Sequence, residues 1–277
     1  MTGYKNIAAY VPDADRAERV FAVATQLAAQ HNAHVTGYYV MPPEVTVPTF
    51  ALGRQFVTAG RAALLDQAAK VKTHFEASGS ALVVNKTWRV IEAGQHSIPQ
   101  ALTTNLRTAD LVVLSQREPE WSDSLLLEHP EDIVMLGGRP VLMIPNAGNF
   151  ERIGKRVVVA WNDRREAARA VFDALPILEK ADEVRLVWVN PDPKKNVDIP
   201  TAEIASALAR HGVRCTGAVA YGMDQAVGDT LLNECSDAAA DLLVMGAYGH
   251  ARLREFVFGG ATRHILKTMT IPVMLSH

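Results

Sequence analysis

The stretch from Met245 to Arg263, MGAYGHARLREFVFGGATR, places glycines and a helix start where phosphate could be held. Gly246 ends an apolar run, Gly249 follows after two intervening residues, and Gly259 after nine more. Gly260, Ala261 and Thr262 then lead into a helical pattern. A glycine at a strand end lets backbone approach a ligand closely and can adopt positive φ. The unpaired N–H groups of a helix N-terminus attract an anion. Thr262 can cap that helix or offer its hydroxyl to a phosphate. His250 and Arg252 either add charge beside the phosphates or belong to a solvated loop. The competing reading is a purely structural loop, in which Gly246 turns the chain and Thr262 caps. A Walker A lysine motif is absent, and no dinucleotide fingerprint accompanies the first strand.

The elements that must position this loop follow from periodicity. In the second half, Arg156–Trp161 is a strand of mostly β-branched residues, and Arg165–Leu178 is a helix with Ala168, Val171, Leu175 and Leu178 at helical spacing. Asp163 followed by Glu166 predicts a capping box at its start. Strands are expected over Val184–Val189, Arg214–Ala220, Asp241–Met245 and Pro272–Leu275. Helices are expected over Pro200–Arg210, Gln225–Ala239 and Thr262–Thr268. Such alternation predicts a parallel sheet covered on both faces. These sheets bind ligands beyond the carboxyl ends of their strands, where strand order reverses.

The same order of segments occurs earlier. Lys5–Tyr10 matches Lys155–Ala160, His34–Val40 matches Glu183–Val189, Ala109–Leu114 matches Ala240–Met245, and Arg139–Ile144 matches Ile271–Ser276. A fixed order of matching elements signals internal duplication. Residues 1–147 and 154–277 are therefore expected to be two domains, joined across Pro145–Gly154, which is rich in turn formers. The apolar last strands, near Val141–Ile144 and Val273–Leu275, would leave open edges and are expected at the contact between two separate five-stranded sheets.

The spacing Gly246-x2-Gly249-x9-Gly259, with the order of elements around it, resembles the nucleotide-binding motif of the universal stress protein family. The resemblance is strong in the second half and weak in the first. It implies a tandem of parallel five-stranded α/β sandwich domains, Rossmann-like and of the adenine-nucleotide α-hydrolase type. It further implies that ATP or another adenine nucleotide, with or without Mg, binds in the second domain. By position, Ala160, Trp161, Asn162 and Val189 would meet the adenine. Met245 and Gly246 would lie along the ribose. Gly249, Gly259, Gly260, Ala261 and Thr262 would hold the phosphates, with His250 and Arg252 nearby. Two positions depart from the family: Asn162 stands where Asp is frequent, and Gly260 where Ser or Thr is common. In the first copy Ser115 and Glu118 fall opposite Gly246 and Gly249, and Leu127, Glu128, His129 and Pro130 fall near the later glycines. Acidic side chains there would repel phosphate, so the first copy reads as a degenerate partner.

Composition narrows the remaining classes. The 277 residues are 48% hydrophobic and 21% charged, with a formal charge of −2, which leaves no footprint for nucleic acid or an anionic membrane. No stretch has the apolar length of a signal peptide or membrane span. Cys215 and Cys235 form no disulfide framework or metal spacing, so a reduced, cytoplasmic protein with two packing cysteines is expected. His31 and His34 lack a carboxylate at ligand spacing, and Glu92, His96 and Ser97 lack a nucleophile elbow, so neither a metal site nor a hydrolase triad is expected. Arg164 and Arg165 could meet a ligand or the other domain, or form a solvated face. The expected function is a stress-response binding or regulatory module, self-associating or with a protein partner, and with at most slow ATP hydrolysis. The alternatives are an interaction protein that binds no nucleotide and, behind it, a nucleotide hydrolase.

Overall fold

The computed structural model describes residues 3–42, 54–117, 130–191, 201–222, 226–248 and 260–277. Packing divides the chain into two units, Tyr4–Arg139 and Pro140–His277.

In the first unit the strands are β1 (Asn6–Tyr10), β2 (His34–Met41), β3 (Asn85–Glu92) and β4 (Leu111–Ser115). They are parallel, in the order β3-β2-β1-β4. The helices described are α1 (Ala17–His31), α2 (Arg54–Ala77), α3 (Ile98–Leu106) and α4 (Pro130–Leu136). Phe21, Phe75 and Trp88 form an aromatic cluster, with ring centroids 5.1 Å apart for Phe21–Phe75 and 5.4 Å for Phe75–Trp88. Gly37 makes room for it: a Cβ there would come 2.7 Å from the Phe75 ring.

The second unit repeats the plan. Its strands are β5 (Val141–Ile144), β6 (Arg156–Ala160), β7 (Glu183–Val189), β8 (Cys215–Ala220), β9 (Leu242–Gly246) and β10 (Val273–Ser276). Its helices are α5 (Arg165–Asp173), α6 (Leu175–Leu178), α7 (Ala202–Arg210), α8 (Val227–Asp237) and α9 (Gly260–Thr268). Strands β8-β7-β6-β9-β10 are parallel, in the order of the first unit with β10 added. The helix expected over Arg165–Leu178 is interrupted at Ala174, just ahead of Pro176, whose missing N–H cannot continue the ladder.

Strand β5 changes the expected five-and-five arrangement. It pairs antiparallel with β10, Val273 opposite Met143, Met274 opposite Leu142 and Leu275 opposite Val141. The last two strands of the repeats therefore meet, as expected, but as neighbours in one ladder and not as edges of separate sheets. The strand that ends the first repeat is packed with the second unit, ahead of the turn-rich Pro145–Gly154. Both strands are fully buried, and an apolar strand with unsatisfied N–H and C=O groups is best satisfied by another such strand.

The duplication extends to single hydrogen bonds. Asp110 Oδ2 accepts from the N–H groups of Lys5 (2.7 Å) and Asn6 (2.9 Å), at the start of β1. Asp241 Oδ1 does the same at the start of β6, accepting from Gly154 (2.9 Å), Lys155 (3.0 Å) and Arg156 (3.2 Å). Burial raises the Asp241 carboxyl above its ordinary value, opposed by these N–H groups. Asp241→Ala would leave three donors without that acceptor, at about 1–3 kcal/mol for the orphaned groups. In thermal unfolding it should cost more than Asp110→Ala, which strands only two. Equal midpoints for the two variants would contradict this reading.

Candidate functional site

In each unit the chain runs outward from the central strand and returns on its other side, so order reverses between β1 and β4 and between β6 and β9. That reversal opens a crevice at the carboxyl ends. In the second unit the crevice is bordered by Ala160 and Met245, which are register partners, and by the ends of β7 and β9.

The β6–β7 ladder ends here in a particular way. Glu183 N–H donates to Lys155 O (3.1 Å) and Trp161 N–H to Val187 O (2.8 Å). In a parallel ladder every second residue of β7 faces β6, so Glu183, Arg185, Val187 and Val189 turn both N–H and C=O that way. The chain after Trp161 does not continue as a strand: Asp163 has φ 56°. Asn162 Oδ1 accepts the Arg164 N–H at 3.2 Å, in a local turn. The rung that Val189 would complete is missing. Among the described residues neither its N–H nor its C=O has a hydrogen-bond partner, and both face the space beyond β6. This turn also replaces the expected capping box, since Arg164 is the N-cap of α5 and makes no side-chain cap bond.

On its other side β7 is fastened by Asn190, a residue that periodicity did not single out. Its N–H donates to Ala220 O (2.9 Å), its Oδ1 accepts from Gly222 N–H (3.1 Å) and its Nδ2 donates to Gly222 O (3.4 Å). Asn190 holds φ 49°, a conformation Asn tolerates better than most residues, and this was the available sequence signal.

Gly246 has a packing role that its spacing in the sequence did not give. It is not among the glycines with positive φ. A Cβ at this position would stand 2.6 Å from Ala167 N and 2.6 Å from Glu166 C, so the missing side chain lets the first turn of α5 lie directly on the end of β9. Glu166 is brought to the crevice by this contact and is 5% exposed. Burial raises its carboxyl, but a hydrogen bond from Arg165 Nε, its own backbone N–H and the charges of Arg165 and His277 outweigh burial and hold it below the ordinary glutamate value.

Past β9, Ala247 N–H donates to Ser276 O (2.8 Å), and Tyr248, at φ 58°, donates its N–H to Thr262 Oγ1 (3.4 Å). Thr262 is 4% exposed, so its hydroxyl oxygen ties the start of α9 to the strand end. Gly260 is exposed at that start, and a Cβ there would meet nothing within 4 Å. Ala160, Trp161, Asn162, Val189, Met245, Gly246, Gly260, Ala261 and Thr262 are thus gathered at the carboxyl ends of β6, β7 and β9 and the N-terminus of α9. Gly249, His250, Arg252 and Gly259 lie outside the described residues, as do Glu118, Leu127, Glu128 and His129 of the first copy. Ser115, opposite Gly246, is buried at the end of β4, and Pro130 begins α4.

The other candidates take structural roles. Ser97 caps α3 in a reciprocal box with Gln100, and Glu92 pairs with Arg61 at 2.9 Å. His34 Nε2 contacts Thr87 Oγ1 at 2.9 Å, and His31 packs against the Tyr4 ring. Among the described residues no group of three metal-ligating side chains occurs, and no helix is long and apolar enough to cross a membrane. Both cysteines are free; burial, then the Glu234 charge, pushes Cys235 up to about 12, far from a reactive thiolate.

Residues 218–277 match the model of the Universal stress protein family. A curated universal stress protein of Synechocystis sp. is 33% identical over 171 residues, covering 60% of this chain and 57% of that protein. The match therefore spans little more than half of the relative's length. Among solved structures, a universal stress protein from Archaeoglobus fulgidus DSM 4304 superposes with a TM-score of 0.66 at 13% identity, over 97% of this chain and 95% of that one. A putative universal stress protein from Pseudomonas aeruginosa UCBPP-PA14 gives 0.60 at 15% identity, over 99% and 93%. At these identities the two structures speak for the fold: mixed α/β, mostly parallel, across nearly the whole chain.

Proposed function

We propose that this chain, which is similar to universal stress proteins over residues 218–277 and in its fold, is a member of that family, binds ATP or another adenine nucleotide in the crevice of its second unit and serves as a stress-response binding or regulatory module. The observation that carries the reading is the open N–H and C=O pair of Val189, a donor beside an acceptor at the edge of the crevice. A purine edge that offers an acceptor next to an amino group complements that pair. The exposed start of α9, with space beside Gly260, supports it, because helix N–H groups there would face a phosphate. No cluster of ligating side chains stands ready for Mg among the described residues, so Mg would arrive with the nucleotide's own phosphates. Glu166 is engaged with Arg165 and is not placed as a general base, in keeping with binding and at most slow hydrolysis.

A second reading, an interaction protein without nucleotide, is favoured by the two motif residues that already have structural tasks: Gly246 under α5, and Thr262 holding Tyr248. Mass spectrometry of gently purified protein, followed by calorimetric titration with ATP, separates the two. The nucleotide reading expects co-purified adenine nucleotide and a stoichiometry near one per chain. No binding leaves the interaction reading, and a stoichiometry near two contradicts assignment to the second unit.

A further inference from the structure

The crevice of the first unit contains a side chain of its own. Arg16 stands just before α1, at the turn that follows β1, and its side chain is 7% exposed. Its backbone N–H donates to Asp13 Oδ1 (3.1 Å), its Nε donates to Asp13 Oδ2 (2.8 Å), and the guanidinium forms an ion pair with the same carboxylate. From there Nη1 donates to Gln116 O (3.1 Å), the carbonyl just beyond β4. The guanidinium therefore spans from the end of β1 to the end of β4, across the reversal of strand order where such sheets accept ligands. Tyr39, near the end of β2, is 3% exposed; burial, then the negative charge of Asp13, pushes its hydroxyl up to about 12.

The second unit lacks this bridge. Glu166 takes the place of Arg16 in the repeat, and Asp163, in the place of Asp13, is exposed. Ala247 O, in the place of Gln116 O, accepts instead from His277 Nδ1 at 3.1 Å.

We propose that Arg16, held by Asp13, is a built-in occupant of the first unit's crevice and is the residue that denies that crevice to a purine nucleoside. The absence of the glycine loop then explains only why phosphate is not held there; the guanidinium explains why the base is excluded as well. A buried guanidinium with its carboxylate and carbonyl partners in place is not displaced by a neutral ligand, because removing one partner strands the other charge.

The proposal rests on the nucleotide reading only for the choice of probe, and equilibrium dialysis with radiolabelled adenosine tests the two separately. Adenosine carries no phosphate, so the missing glycines of the first unit do not enter. The variant is Asp13→Asn with Arg16→Ala, which removes the bridge without leaving a lone buried charge. The expected result is one more adenosine bound per chain at saturation than in the parent, and Arg16→Lys, which keeps a cation beside Asp13, should remain at the parental value. An unchanged number in the double variant overturns the proposal. A parent that binds none counts against base recognition in the second unit and not against the proposal, since the difference between variant and parent is still read. If the double variant loses cooperative unfolding, Asp13→Asn with Arg16→Gln, whose side chain is too short to reach Gln116 O, is dialysed in its place. A gain of one then supports the bridge, and no gain overturns it.

Discussion

Gly246→Val should lower the thermal midpoint by roughly 2–12 °C and displace α5 from the sheet end. An added Cβ lies 2.6 Å from two backbone atoms, Ala167 N and Glu166 C, and 2.9 Å from Glu166 Cβ. Backbone cannot swing aside as a flexible side chain can, so the helix must translate. Forcing extra carbons into a packed contact costs about 1–3 kcal/mol, and a unit of this size loses about 2–4 °C per kcal/mol. Because the clash begins at Cβ, Gly246→Ala should already show most of the effect. Gly260→Ala is the internal control: its Cβ would meet nothing within 4 Å, so no comparable fall is expected. Differential scanning calorimetry of the three variants decides the matter. If Gly246→Val melts with the parent, the close contact between β9 and α5 is not what this glycine provides.

Gly249→Val is expected to reduce ATP affinity roughly a hundredfold or more. On the proposed reading this residue would bring backbone N–H groups against phosphate, and a branched side chain would fill that space. Two lost N–H contacts to a charged group, at about 1.5–3 kcal/mol each, give a loss of that order. Thr262→Ala should weaken binding less. Its hydroxyl oxygen is already engaged by the Tyr248 N–H, and the N–H groups at the start of α9 remain. Glu118→Ala, at the matching position of the first copy, should leave binding unchanged. Calorimetry on all three in one buffer provides the ranking. Parental affinity in a folded Gly249→Val protein would move the site away from the loop and favour the interaction reading.

Much of the architecture was legible because it is written in short-range patterns. Short apolar runs such as Val157–Val159 and Leu242–Val244 suit strands buried on both faces, and the spacing of Ala168, Val171, Leu175 and Leu178 suits a helix. The repeated Ala-Asp pair at Ala109–Asp110 and Ala240–Asp241 marked the duplication, and the two Asp residues cap the starts of β1 and β6. Gly246 and Thr262 pointed to the carboxyl end of the sheet, where both stand. What they do there was decided by tertiary contacts. Whether Gly246 approaches a ligand or a helix depends on where α5 comes to rest, and local sequence does not encode that placement. The expected capping box at Asp163 gave way to an Asn162 turn because the chain leaves β6 with a left-handed residue. The pairing of β5 with β10 required two apolar strands from different repeats to satisfy each other's backbone groups. Arg16 belongs to no sequence motif, and only the distance from Asp13 to Gln116 O, covered by a single guanidinium, sets it across the crevice. Sequence by itself determined the elements, their repetition and the end of the sheet to inspect, since these depend on residue type and near neighbours. The three-dimensional structure decided which groups are left open and which are already taken, because a hydrogen bond or a steric contact between distant segments exists only once both have been packed.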